Sequence, residues 1–197
     1  MEEEQRQRMA RELRAIEAEL GLPDAFLDNL VLEDDWSLVI KAHALIEATI
    51  SNLLATTLDA RLRPIFERLE LGNITFGKLA FAGQLGLVTG PERAFIRRFS
   101  ELRNQLVHNV RQASFRFGPW LDALEPARRN AFVDAVMGVV GTGQETMAAR
   151  LRFMGDPGSA VWAATMYIVL RTLTEARRAQ AMAVIKEAAT SGWGRTH

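Results

Sequence analysis

The run from Pro91 to Val110, PERAFIRRFSELRNQLVHNV, constrains this chain most, because it joins an unbroken apolar stripe to a dense set of chemically competent side chains. Gly90-Pro91-Glu92 opens a helix: proline is tolerated in the first turn, where an N–H has no partner, and glutamate suits the positive end of the dipole. No glycine or proline follows before Gly118. At about 100° per residue, Phe95, Phe99, Leu102, Leu106 and Val110 fall on one side, the spacing of a face that packs inward. Arg97, Ser100, Asn104, His108 and Arg111 run along the opposite side as a polar row that solvent alone would satisfy. Arg103 sits beside the apolar stripe. From Arg103 to His108 is a rotation of roughly 140° and a rise of about 7.5 Å, so the two do not meet readily on one straight helix. A kink or a second copy of the helix is required to join them.

Helical periodicity extends to the rest of the chain. Glu2 to Leu20 carries a narrow stripe of Met9, Leu13, Ile16 and Leu20, with Gly21 as its stop. Pro23 to Leu32 reads as a connector, and Asp34 or Asp35 then caps a long central helix to about Leu62, with Leu38, Leu45, Ile46, Ile50, Leu53, Leu54 and Leu58 inward. Pro64 to Leu71 is a short turn ended by Gly72, and Thr75 is expected to cap Phe76 to Leu85, which Gly86 closes. After His108 the pattern loosens through Phe115 to Trp120. Helix resumes from Pro126 to Val140, breaks at Gly141-Thr142-Gly143, continues from Gln144 to Met154, and returns from Ser159 to about Ala189. No strand pattern or repeat is visible. The expectation is an all-α fold, an antiparallel bundle of about six to eight helices: 1–22 docking on the bundle, 33–118 as its core, and 120–190 completing the same domain.

Composition narrows the chemistry. With 197 residues, nearly half of them apolar, the chain buries a core without staples, and the absence of cysteine excludes disulfides, thiolate catalysis and cysteine-based zinc sites. Cysteine usage and a charged N-terminus without an apolar leader lead to a cytoplasmic expectation. The most lipid-like run, Ala160 to Leu170, is about half the length that spans a bilayer, so no membrane partner is expected. Formal net charge is zero, and nucleic acid would have to be met by a local patch. One such patch is Arg93, Arg97, Arg98, Arg103, Arg111 and Arg116 against Glu92 and Glu101. His43 and Glu47 share a helix face, but no third ligand has matching spacing, so no metal or other cofactor is expected. Gly138 to Gly143 lacks the preceding strand and Gly-Lys-Ser/Thr ending of a phosphate loop. Neither a helix-turn-helix pattern nor the charge balance favours direct reading of DNA bases.

From Asp34 to Val110 the order is a long helix, a short helix opening at FGKLAFAGQLGLV, and the helix bearing ELRNQLVH. In this the chain resembles the HEPN superfamily, marked by an arginine, commonly a following polar residue, and a histidine after a short fixed gap. Here these are Arg103, Asn104 and His108, with four residues between the first and the last. Within that group, FGKLAFAGQLGLVTGPERAFIRRFSELRNQLVH is most similar to the mannitol-repressor family, whose members carry a Gly-Leu-Gly-like turn before the helix. The resemblance implies a homodimer in which two motif helices build one cleft, and a metal-independent ribonuclease. His108 would act on the ribose 2′-hydroxyl or the leaving oxygen, Arg103 on the phosphate charge, and Asn104 on the orientation of either. Arg97, Ser100 and Arg111 would hold substrate. The same resemblance equally implies a non-enzymatic regulatory or protein-binding module. A third reading gives Asn104 and His108 only a role in helix packing or a dimer seam.

Overall fold

The computed structural model of the chain describes residues 2–108, 110–141 and 147–192. It is all-α, with ten α-helices and two 3-10 turns among the described residues. Several stretches read as connectors coil into short helices, which raises the count. In order they are α1 (Glu2–Leu20), α2 (Phe26–Leu30), α3 (Asp35–Thr57), α4 (Arg63–Arg68), α5 (Lys78–Gln84), α6 (Gly90–Val107), α7 (Phe117–Ala123), α8 (Pro126–Val140), α9 (Met147–Gly155) and α10 (Pro157–Gly192). The 3-10 turns are Ala60–Leu62 and Val110–Ser114.

α3 is the centre. Asp34 caps it, its carboxylate accepting from the Ser37 N–H at 3.0 Å and the Ser37 hydroxyl at 2.7 Å. Asp35 lies inside the helix and accepts from the Phe117 N–H at 2.8 Å. Leu38, Val39, Ala42, Ile46, Ile50, Leu53 and Leu54 are buried, and α10, α6, α4 and α5 all pack on this helix. One continuous core runs from Leu13 on α1 to Leu173 on α10. Leu58, expected inward, is instead 45 % exposed, because α3 ends at Thr57 and the chain turns away there. Among the described residues α3, rather than the 160–170 run, is the helix long and apolar enough to cross a membrane, and 67 % of its apolar window is buried against the rest of the chain.

Gly21 and Gly86 end α1 and α5 at φ of 65° and 67°, a conformation in which a side chain would strain. The start of α5 differs from expectation. The Asn73 side chain, not Thr75, organises the turn, accepting from the Thr75 and Phe76 N–H groups at 2.9 Å each, and α5 begins only at Lys78. Lys78 N–H donates to Glu70 O at 3.0 Å and Leu79 N–H to Leu71 O at 3.2 Å, which folds the 70–77 loop against the end of α4.

α6 opens on a capping box. Thr89 N–H donates to the Glu92 carboxylate at 2.6 Å, and Glu92 N–H donates to Thr89 Oγ1 at 3.4 Å. Glu92 is buried and also receives the Arg171 guanidinium of α10, which donates to Leu87 O at 2.8 Å. Thr89→Ala removes one half of the box and is expected to cost about 1 kcal/mol in urea unfolding. The far end of α6 stops early, at Val107, with no glycine or proline to mark it. Phe115 and Phe117 turn inward to meet Trp120 and Phe132, ring centroids 5.0–6.4 Å apart, and this aromatic cluster draws the chain off the helix axis. α8 has the expected bounds. Thr142 and Gly143 of the glycine run, and Gln144 at the expected start of α9, lie outside the described residues.

Candidate functional site

The middle of α3, the second half of α6 and the segment from Glu67 to Ile74 enclose a cleft of about 580 Å³. From α3 come His43 and Glu47. From α6 come Arg97, Ser100, Glu101, Arg103 and Asn104.

The floor is a buried polar pair. His43 Nε2 and Ser100 Oγ are 3.1 Å apart, and the two residues are only 6 % and 5 % exposed. Their shared hydrogen is the serine's when Nδ1 is protonated and the imidazole's in the other tautomer. Ser100 was expected in the outward polar row; it is covered because the 70–77 loop closes over α6 at this point. Gly72 permits the approach, since a Cβ there would lie 2.6 Å from Ser100 Cβ. Behind the pair, Glu47 Oε2 lies 4.0 Å from His43 Nδ1, beyond hydrogen-bond range, while Glu47 Oε1 accepts from Lys78 Nζ at 2.6 Å. The Lys78 side chain is 1 % exposed.

Burial is the largest influence on His43 and lowers its pKa from 6.5 to about 4; Glu47 opposes this, while the Arg103 and Lys78 charges act with it. The imidazole is therefore neutral near pH 7. The folded pKa lies below the unfolded one, so the unfolded chain binds the proton first, and stability present above pH 6.5 declines as pH falls toward about 4. That loss is expected to be about 3 kcal/mol. It is read as the difference in urea-unfolding free energy between the wild type and His43→Gln over this window. A parallel pH dependence in the two proteins would contradict it.

The motif residues divide. Arg103 is half-buried and its Nη1 donates to Asn104 Oδ1 at 3.1 Å. Both line the cleft, and the Arg103 charge reaches His43. His108 does not line it: it is exposed as the C-cap of α6, its backbone N–H donating to Asn104 O and Leu106 O. Arg97 stands on the cleft wall with its Nε 3.9 Å from Glu101 Oε1, an exposed pair of small energetic weight. Arg111 lies in the 3-10 turn after α6, and its side chain is outside the described residues. Four of the expected site residues, Arg97, Ser100, Arg103 and Asn104, thus share one cleft, and the histidine of the motif stands apart from them.

The cleft is not the basic patch that the arginines of this region lead one to expect. Arg68, Arg97 and Arg103 are matched there by Glu47, Glu67, Glu70 and Glu101. Lys78, whose charge acts on His43, and the lining carboxylates Glu67 and Glu70 are not singled out by the sequence pattern. The chain has only three lysines among its many arginines, and one of them, Lys78, sits inside an apolar run, which was the available signal. No family model, curated protein or solved structure matches this chain.

Proposed function

We propose that this chain is a HEPN-like helical protein that cleaves RNA without metal, at a site completed when two copies pair along the C-terminal end of α6. The observation that carries this reading is the exposure of Asn104 and His108 one helical turn apart, with no partner for the His108 side chain among the described residues. The Asn104 amide is engaged by Arg103, and the exposed His108 imidazole is open to a second copy and to substrate. Arg103 is the guanidinium closest to them in the motif, and pairing supplies what one straight helix cannot, a second imidazole and a second guanidinium in the same pocket.

In such a site His108 of one copy takes the proton from a ribose 2′-hydroxyl, and the 2′ oxygen attacks the adjacent phosphorus. The 5′ oxygen leaves with a proton from the second copy's imidazole, yielding a 2′,3′-cyclic phosphate and a 5′-hydroxyl. Arg103 opposes the charge that develops on the phosphate through paired N–H groups. The purified protein, incubated with mixed RNAs in the presence of EDTA, is expected to cut them and to sediment as a dimer at micromolar concentration. A monomer, or RNA left intact, overturns the proposal.

A second reading, a non-enzymatic regulatory module, is favoured by Ile74 and Phe76, which are 62 % and 75 % exposed on the loop beside the cleft. It predicts intact RNA together with capture of a protein partner that Phe76→Asp abolishes. Cleavage of RNA with no such capture would contradict it.

A further inference from the structure

The charges around the cleft are segregated. On the α4 side Glu67 and Glu70 outweigh Arg68, leaving one negative charge in excess, and none of the three has an oppositely charged partner among the described residues. On the α6 side Arg97 faces Glu101, and Arg103, bonded only to the neutral Asn104 amide, leaves one positive charge in excess. The floor is balanced, with Glu47 matched by Lys78 and His43 neutral. A simple anion entering here meets Glu67 and Glu70, and a simple cation meets Arg103. A molecule carrying both signs, a few ångströms apart, satisfies each wall.

We propose that the cleft is a binding site for a small zwitterion of the α-amino-acid class, its carboxylate on the Arg103 guanidinium and its ammonium toward Glu67 and Glu70. A guanidinium offers parallel N–H groups to a carboxylate, and carboxylates accept from an ammonium as charge-assisted bonds, roughly twice as strong as neutral ones. The cleft volume of about 580 Å³ lies within the range of small-molecule sites, and its floor presents the His43 and Ser100 pair, both more than nine-tenths buried, as fixed polar atoms under the ligand. The Asn73 side chain and the backbone bonds of Lys78 and Leu79 to Glu70 and Leu71 hold the loop, and Gly72 lets it lie against α6, so the site exists before the ligand arrives. This inference does not rest on the RNA reading and goes beyond it.

The test is calorimetric titration and thermal shift with each of the twenty amino acids at millimolar concentration, with orthophosphate and spermidine as ions of single sign. At least one amino acid is expected to bind saturably and raise the melting temperature. Arg103→Gln, and separately Glu67→Gln combined with Glu70→Gln, are each expected to weaken it by about tenfold or more. These side chains lie at the cleft surface; the two Glu→Gln changes keep the side-chain bulk and Arg103→Gln shortens its side chain without adding any, and the folded state is checked by circular dichroism in the same samples. Absence of binding by every amino acid, binding that survives either variant, or binding of orthophosphate or spermidine alone overturns the proposal.

Discussion

Alanine at His108 is expected to lower metal-free RNA cleavage by about 10²- to 10⁴-fold, the range for removing a positioned acid or base, while leaving the unfolding free energy within about 0.5 kcal/mol of wild type. The two halves of this expectation come from the same geometry. The imidazole is exposed and unpartnered among the described residues, and the bonds that end α6 are made by the backbone of residue 108, which alanine preserves. A loss of cleavage therefore cannot be laid to a loss of fold. Sedimentation should find the variant dimeric, since chemistry and pairing are separable at an exposed side chain. His43 supplies the contrast. It is buried and neutral, and its Nε2 is taken up by Ser100, so His43→Gln is expected to keep cleavage and lose stability. Cleavage retained in His108→Ala but abolished in folded His43→Gln would move the chemistry into the cleft and remove the composite site.

What was legible in the sequence is what local periodicity encodes. The apolar stripes of α3 and α6, the Asp34 and Gly86 boundaries and the extent of α8 each depend on residues within a turn or two of one another, and each is where the pattern put it apart from the last residue of either stripe, Leu58 and Val110, which fall beyond the ends of their helices. Ser100 was misjudged for a physical reason: angle on a helix says which way a side chain points, not what will cover it. Its cover is a loop shaped by the Asn73 side chain and admitted by Gly72, more than twenty residues upstream. The early end of α6 was invisible because tertiary packing of Phe115, Phe117, Trp120 and Phe132 ends it, not a local breaker. His43 and Glu47 were recognised as neighbours on one face, but their meaning depends on Lys78, which comes from another helix and would ordinarily be assigned to solvent.

That buried lysine is where the largest loss of stability is expected. Glu47→Ala should destabilise the fold by about 3–5 kcal/mol, because it leaves the Lys78 ammonium, 1 % exposed, without its counter-charge. The reverse change is asymmetric. Lys78→Met puts an unbranched apolar chain of similar length where the stem already packs, and it frees a carboxylate that is 32 % exposed and opens onto two hollows, where water can solvate it. Its cost should be within about 1.5 kcal/mol. In the double variant no charge is left stranded, so Lys78→Met should recover most of what Glu47→Ala loses, a coupling that only a direct partner can produce. Urea unfolding of the four proteins at pH 7 measures this, where His43 is neutral and does not contribute. Equal costs for the two single substitutions would mean that the pair is held as solvated charges. Glu47 would then no longer anchor the floor of the cleft through Lys78, and the His43 and Ser100 contact would have to be explained by the closing loop alone.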